Sequence, residues 1–353
     1  MKIILDARKI EDFGIGVYLE NLFQGIIDSG LFDCRILHLK ETKYLSASRK
    51  SFIEVNFKNY DFREHLEIPL KIGRLRDFFY FSPHYVFPVF LKNRLFVTVH
   101  DLIHFKFAHL FRPAIRVEFG KFFMKQVKKR AGFVFTVSNT TKNDLMEIFN
   151  FNENQVKVIY NGISNHFFQE PRNPSCFRFP YILYAGNVKP HKNLIILLRA
   201  FSLLKNRYSE LRLLLAGVES DKALRQTIDD LKLEERVMLK GYKSAEELIR
   251  YLDGAEFFVF PSLYEGFGFP PLEAMARNKA VISSPGGSLK EILKECALFF
   301  NPESFEELAE KISIFLENEE LRKTYEEKGF IRSSSFRWEK TIKEYLTVLK
   351  EWE

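Results

Sequence analysis

The stretch with the most potential chemistry places two glutamates on either side of a glycine-rich turn. Glu265 and Glu273 are separated by seven residues, and Gly266-Phe267-Gly268 forms the turn that follows the first of them. A carboxylate binds a vicinal diol well, because each oxygen accepts a hydrogen bond from one hydroxyl. The glycines expose backbone N–H groups to hydroxyls or phosphate. The pattern predicts that one glutamate holds a sugar and the other a ribose.

Two carboxylates also raise the possibility of a glycosidase. Retaining glycosidases hold their carboxyl groups about 5–5.5 Å apart, whereas eight helical steps span about 12 Å. Nothing near Glu265 or Glu273 in the sequence indicates an acid held neutral by burial. The sequence therefore disfavours a hydrolase.

A second polar segment, Gly186–Asn193, follows an apolar strand and precedes a helix. It contains Asn187, Lys189 and Lys192. The positive local field and the outward-pointing N–H groups of the helix suit a diphosphate. A solvated loop is the alternative interpretation.

Two weaker signals lie in the first half of the chain. Gly14-Ile15-Gly16 opens a helix, and such a glycine pair lets the backbone approach an anion. A plain turn explains it equally well. His100 follows a strand ending at Val99 and is placed to contact a sugar hydroxyl or a phosphate. The alternative is a structural histidine.

The apolar pattern predicts the elements that position these residues. Short apolar strands alternate with amphipathic helices in both halves, which is typical of parallel sheets covered by helices. Ligands bind beyond the carboxyl ends of such strands, where the candidate residues lie. A length of 353 residues favours two domains, and the prolines in 171–180 mark their boundary. We predict an α/β fold with domains 1–172 and 173–335 and a final helix at 336–353.

Composition limits the functional class. The chain is 46% hydrophobic, with 38 phenylalanines that are expected to fill two cores. No apolar run approaches the roughly 18 residues of a membrane span. Cys34, Cys176 and Cys296 are too few and too dispersed for a disulfide framework or a zinc site. These features predict a cytoplasmic protein with free thiols.

The positive charge lies in the first half. Residues 1–175 carry 26 Lys and Arg against 18 Asp and Glu, and the remainder carries 27 against 28. A basic half favours an anionic partner, either a membrane surface, a phosphorylated lipid or a nucleic acid, with a solubilising surface as the alternative. No RNA-binding signature occurs, so nucleic acid is not an expected partner. Segments 71–80 and 112–130 combine basic and aromatic residues, which predicts peripheral contact with the inner face of a membrane.

The run Phe258–Ala276 resembles the E-x7-E signature of family-four retaining glycosyltransferases. Further landmarks of that family follow in order, among them Gly14–Tyr18, Val99–Leu102 and Gly186–Leu194. The resemblance implies the GT-B fold, in which two Rossmann-like domains with parallel sheets face each other across a cleft. The first domain would take the acceptor, the second would bind the nucleotide sugar, and the final helix would cross back to the first.

The resemblance implies a catalytic role for three residues. Glu265 would hold the hydroxyls of the donor sugar. Lys192 would neutralise the diphosphate, with help from the Gly16 N–H group. His100 would contact the transferred sugar near the reacting centre.

Donor binding is implied for a wider set of residues. Glu273 would bind the ribose diol, and Leu239–Tyr242 would line the base pocket. The complete expected donor-binding set is Gly14, Gly16, Gly186, Asn187, Lys189, Lys192, Gly241, Tyr242, Glu265, Gly266, Phe267, Gly268 and Glu273.

The sequence departs from the family pattern in three places. Asn187 stands where many members have Arg, Ser164 stands where Asp is common, and 277–280 read Arg-Asn-Lys-Ala instead of a Cys-Gly-Thr-Pro-like run. None of these changes removes a side chain that is proposed to act, but they leave the identity of the donor undetermined.

The activity implied is retaining hexosyl transfer from a nucleotide sugar to a glycan or lipid-linked acceptor, as in polysaccharide biosynthesis. Neither a metal nor another cofactor is expected. GDP-mannose is the expected donor, from the mannosyltransferase-like subgroup. A UDP-sugar is its main rival, and a nucleotide-sugar epimerase of the same fold is the alternative enzyme.

Overall fold

The computed structural model describes residues 1–12, 14–39, 51–110, 115–169, 177–219, 221–241 and 244–352. The chain divides into two compact units, the first formed by Met1–Gly162 with Trp338–Glu353 and the second by Ile163–Arg337. The predicted division at 172–173 lies outside the described residues, as does Cys176. Cys34 and Cys296 are free thiols.

The first unit contains a parallel sheet covered by helices. Its strands are β1 (Lys2–Asp6), β2 (Asp33–Leu39), β3 (Phe52–Val55), β4 (Phe79–Ser82), β5 (Leu95–Val99), β6 (Ala131–Thr136) and β7 (Val156–Val158). They lie in the order β3-β2-β1-β4-β5-β6-β7. The helices between them are α1 (Ile15–Asp28), α2 (Glu64–Lys71), α3 (Ile103–Lys106), α4 (Ile115–Arg130) and α5 (Asn139–Phe149).

The second unit repeats the architecture. Its strands are β8 (Tyr181–Ala185), β9 (Arg212–Ala216), β10 (Val237–Lys240), β11 (Phe258–Phe260), β12 (Val281–Ser283) and β13 (Leu298–Phe299). They lie in the order β10-β9-β8-β11-β12-β13, all parallel. The helices are α6 (Leu194–Leu204), α7 (Lys222–Asp230), α8 (Ala245–Gly254), α9 (Phe269–Ala276), α10 (Leu289–Leu293), α11 (Phe305–Glu317) and α12 (Glu319–Ser333).

The last helix, α13 (Trp338–Lys350), returns to the first unit and packs against α1. A Cβ on Gly25 would lie 2.4 Å from the Ile342 side chain, so the glycine lets the two helices approach closely. The Tyr345 hydroxyl lies 2.9 Å from that of Tyr18, which in turn lies 2.7 Å from Thr98 Oγ1. Because all three groups are buried, these bonds anchor α13 beside the sheet.

The central strands β5, β8 and β11 are buried on both faces, which explains their continuous apolar runs. The predicted α/β fold with parallel sheets is confirmed. Within the described ranges, no helix is both long and apolar enough to cross a bilayer.

Candidate active site

The central feature of the second unit is the point where its strand order reverses. β8 and β11 are neighbours, but β9 lies beyond β8 on one side and β12 lies beyond β11 on the other. The connections therefore diverge and open a crevice at the carboxyl ends of β8 and β11. Segment 186–193 follows β8 and segment 261–268 follows β11, so the fold brings the two richest predicted segments to one edge.

Lys192 and Glu265 meet directly at this edge. Lys192 Nζ lies 2.6 Å from Glu265 Oε1, and their side chains are only 11% and 15% exposed. Ser262 Oγ donates a second bond to the same oxygen at 2.5 Å. The ammonium also lies 5.2 Å from the centre of the Phe260 ring. The predicted phosphate-binding cation is therefore paired with the predicted sugar-binding carboxylate.

Backbone contacts hold the two loops together. The Leu263 N–H group donates to the His191 carbonyl oxygen at 2.7 Å. His191 precedes Lys192, and Leu263 lies two residues before Glu265, so this bond fixes the spacing of the pair. The ion pair is thus set by backbone geometry as well as by charge.

A glycine pair that the sequence analysis missed supports Glu265 from the other side. Gly286 and Gly287 follow β12, and Gly287 has a φ of +60°. A Cβ at this position would lie 2.4 Å from the Glu265 carbonyl oxygen and 2.6 Å from its nitrogen. The Ser288 N–H group donates to the same carbonyl at 3.0 Å. The Pro-Gly-Gly-Ser run after a predicted strand was the available signal, because it marks a turn where the backbone approaches closely.

The turn between the glutamates presents backbone donors. Gly268 has a φ of +96° and precedes α9, and Pro270 and Pro271 occupy the first turn of that helix. The N–H groups of Gly266, Phe267 and Gly268 make no hydrogen bond to protein within the described part of the chain. Amides next to Glu265 are thus available to an oxygen-rich ligand.

Glu273 lies half-buried on α9. Burial raises the pKa of its carboxyl from 4.5 to about 7. Among the described residues, no hydrogen-bond or ion-pair partner compensates this carboxyl. The expectation that no nearby acid is held neutral by burial is therefore wrong, because the fold of the second unit buries this side chain on α9, which its position in the sequence does not reveal.

The polar groups of Gly186 and Asn187 in segment 186–193 form hydrogen bonds within the protein. The Gly186 N–H group donates to the Ala216 carbonyl at 2.9 Å. Asn187 Oδ1 accepts the Lys189 N–H group at 3.2 Å, which forms a local turn. The Lys189 side chain is exposed. Of the predicted diphosphate ligands here, only Lys192 is positioned by burial and by a partner.

The predicted base pocket is described in part. Tyr242 lies outside the described residues. Gly241 follows β10, and a Cβ on it would lie 2.2 Å from Glu219 Oε1. Glu219 comes from the loop after β9 and was missed by the sequence analysis. A carboxylate therefore lies against the predicted base site.

His100 lies in the first unit, after β5. Its Nε2 lies 2.8 Å from the Pro83 carbonyl oxygen. Because a carbonyl can only accept, Nε2 carries the hydrogen and Nδ1 is the acceptor. Burial lowers the pKa of this imidazole to about 4. The Tyr18 and His100 rings form a T-shaped pair with their centroids 4.7 Å apart. His100 is thus neutral at physiological pH, which suits contact with a sugar hydroxyl.

The glycines that open α1 also lie in the first unit. Gly14 precedes the helix with a φ of +81°. The Gly16 N–H group donates to the Asp12 carbonyl oxygen at 2.6 Å, and a Cβ on Gly16 would lie 2.3 Å from the Ile10 carbonyl oxygen. Gly16 is needed for this close turn, and its amide reaches a phosphate only if the turn opens.

Known families match most of the chain. Residues 169–332 match the family described as Glycosyl transferases group 1, and residues 73–166 match Glycosyltransferase Family 4. A glycosyltransferase of Methanocaldococcus jannaschii is 30% identical over 278 residues, which cover 76% of this chain and 74% of that protein. The chain belongs to glycosyltransferase family 4. The predicted family resemblance is confirmed.

A further relative and a solved structure are also similar to this chain. The O-antigen chain mannosyltransferase RfbU of Salmonella typhimurium is 31% identical over 222 residues, or 63% of this chain. The match spans 60% of the length of that relative. The solved structure of sucrose-phosphate synthase from Thermosynechococcus elongatus superposes with a TM-score of 0.78 at 18% identity, covering 100% of this chain and 99% of that one. The glycosyltransferase fold is therefore of the GT-B type that the resemblance implied.

Proposed function

We propose that this glycosyltransferase moves a hexose from a nucleoside-diphosphate sugar to a hydroxyl of a glycan or lipid-linked acceptor, with retention of configuration. The observation that supports this most is the contact between Lys192 and Glu265 at the strand-order reversal. The pair places a cation for phosphate and a carboxylate for sugar hydroxyls side by side, with the amides of 266–268 next to them.

The chemical step follows from these groups. The bond between the anomeric carbon and the diphosphate oxygen breaks, and the acceptor oxygen bonds to that carbon on the same face. Negative charge develops on the leaving diphosphate, where Lys192 and backbone N–H groups stabilise it. The acceptor proton passes to a phosphate oxygen of the leaving group. Neutral His100 contributes by accepting a hydrogen bond at Nδ1, not by carrying charge.

We infer that the step needs no divalent cation. The positive charge that a metal supplies elsewhere is assigned to Lys192, aided by the dipole at the start of α9. Activity is therefore expected to survive EDTA. Loss of transfer in chelator, restored by Mg²⁺ or Mn²⁺, would contradict this assignment.

GDP-mannose is the donor that we propose. The mannosyltransferase relative supports mannose, and Glu219 supports guanine. A carboxylate accepts hydrogen bonds from both the N1–H and the 2-amino group of guanine, whereas uracil offers one N–H group flanked by two carbonyls. The Glu219 carboxylate against Gly241 thus favours a guanine base over uracil.

The test is a panel of nucleotide sugars with purified protein. We expect GDP-mannose to raise the melting temperature more than GDP-glucose, UDP-glucose or UDP-N-acetylglucosamine, and to be consumed only with an acceptor. Glu265→Ala should abolish transfer while keeping GDP binding, whereas Glu273→Ala should weaken GDP binding itself. Equal weakening of GDP binding by both changes, or binding of no nucleotide, would refute the proposed site.

A further inference from the structure

The outer side of α2 and the turn before it carry a ridge of exposed apolar side chains. Phe62, Leu66 and Leu70 are 72%, 48% and 80% exposed. Leu66 and Leu70 are four residues apart and lie on the same side of α2. Phe62 lies four residues before Leu66, in the turn that leads into the helix. The opposite side buries Glu64 and Ile68. A helix that is apolar on the side it turns to water marks an interaction surface.

The ridge joins exposed phenylalanines of α4. The His65 ring packs against the rings of Phe62 and Phe123, with centroid distances of 6.0 Å and 5.9 Å. Phe123 is buried, and its ring centroid lies 4.7 Å from that of Phe119 and 5.4 Å from that of Phe122. Phe119 and Phe122 are 43% and 46% exposed. One chain of ring contacts therefore connects the exposed apolar groups of the two helices.

Exposed basic residues lie on the same two helices and in the segment that follows α2. The exposed cations on and just after the two helices are Lys71, Arg74, Arg76, Lys125, Lys128 and Lys129. The exposed acid Glu118 is already paired with Lys121 at 2.7 Å, and Asp61 is paired with Arg63 at 2.7 Å. The surface formed by residues 62–76 and 117–129, called here the docking face, thus has an excess of positive charge.

We propose that the docking face binds the surface of an anionic lipid bilayer. The ridge and the α4 phenylalanines would insert at the boundary between headgroups and acyl chains, and the cations would contact anionic headgroups. Charge complementarity favours this occupant over a second copy of the chain, since a two-fold dimer through one face would set its lysines against lysines. The proposal does not depend on the identity of the donor.

The structure changes which residues are expected to insert. The predicted membrane contact of segment 71–80 relies on its aromatic residues, but Phe78, Phe79 and Tyr80 are buried in the core. That part of the prediction is wrong, because β4 begins at Phe79 and its strand is covered on both faces. The α2 ridge takes their place. Residues 112–114 of the second segment lie outside the described part.

Flotation with lipid vesicles tests the apolar part. We expect the wild-type protein to float with phosphatidylcholine vesicles that contain phosphatidylglycerol. Phe62→Ser with Leu70→Ser should lower the partition coefficient at least tenfold, because about 0.8 kcal/mol is lost for each CH₂ group kept out of the bilayer. The matched control, Leu203→Ser with Ile331→Ser, removes side chains of the second unit that are 54% and 71% exposed and should change nothing.

The charge part is tested with the same assay. Lys125→Gln with Lys129→Gln should lower binding to the anionic vesicles about 25-fold, since each cation near the surface contributes about fivefold. Lys222→Gln with Lys328→Gln, which removes two exposed lysines of the second unit, is the control. Raising the salt concentration should weaken wild-type binding in parallel.

Several outcomes would overturn the proposal. These are failure of the wild type to float, equal binding to phosphatidylcholine alone, and a dimer in light scattering that the ridge variant abolishes. Thermal melting and GDP binding are measured on every variant. Because both are independent of lipid, a failure of the docking face is distinguishable from a failure of the proposed function.

Discussion

Nucleotide binding should depend on pH through Glu273. Its carboxyl is half-buried, burial raises its pKa to about 7, and its proposed partner is the ribose diol. Only the ionised carboxylate offers acceptors to both hydroxyls at full strength. We therefore expect nucleotide affinity to rise with pH as this group loses its proton.

The magnitude follows from the fraction ionised. With a pKa of about 7, roughly one-tenth of Glu273 is ionised at pH 6 and nine-tenths at pH 8, so the apparent Kd falls about tenfold over this range. The folding stability depends on pH in the opposite direction and falls as pH rises. A carboxyl whose pKa is raised by folding stabilises the protein fully below 4.5, and that contribution is lost as pH rises through about 7. The loss amounts to at most about 3 kcal/mol.

Calorimetric titration with GDP at several pH values measures the effect, with Glu273→Gln as the matched variant. The variant keeps the shape of the side chain but cannot titrate, so the titration of GDP itself cancels in the ratio of the two affinities. That ratio should change about tenfold between pH 6 and 8. The variant should also melt at a higher temperature than the wild type at pH 8 and at the same temperature at pH 4. A constant ratio of affinities would refute the assignment of Glu273.

Three further outcomes are expected. Lys192→Gln should lower kcat at least 100-fold, as for loss of one group that stabilises developing charge, and a steady-state transfer assay checks this. Glu219→Gln should weaken GDP at least tenfold relative to UDP in competition titrations, because one charge-assisted acceptor of guanine is lost. Gly287→Ala should displace Glu265 and lower kcat at least tenfold, while GDP affinity, set at Glu273, changes less than threefold.

The meeting of segments 186–193 and 261–268 at one edge of the second sheet could be predicted from the sequence, because it depends only on parallel strands and on the segments that follow them. Segments 186–193 and 261–268 each follow an apolar run, and ligands bind at the carboxyl ends of parallel strands. That β8 and β11 are neighbours was not needed to place both segments at the same edge. The fold class came from the same alternation of strands and helices.

The contacts within the site could not be predicted in this way. The pairing of Lys192 with Glu265 joins residues 73 apart in sequence, and the approach of Gly287 to Glu265 depends on how β12 packs beside β11. The raised pKa of Glu273 depends on what surrounds α9. Each is a property of packing between distant segments, which local patterns do not encode.

Helix α2 escaped prediction for a different physical reason. Amphipathic helices are recognised by a single apolar stripe, but α2 is apolar on two sides. Ile68 faces the core while Leu66 and Leu70 face outward, and Pro69 interrupts the helical pattern. The feature that hid the helix is the one that makes its outer side a candidate for lipid binding.

The Lys192–Glu265 contact also bears on the order of binding and release. A complete donor can satisfy both side chains at once, since its diphosphate takes the lysine and its sugar hydroxyls take the glutamate. A nucleoside diphosphate without sugar draws Lys192 away and leaves Glu265, 15% exposed, with the Ser262 hydroxyl alone. The lost bond to an ionised partner is worth about 1.5–3 kcal/mol. Loss of this bond alone should make the product bind roughly 10- to 100-fold more weakly than the donor. The Lys192–Glu265 ion pair therefore favours product release after transfer, because re-forming it restores the partner that Glu265 loses.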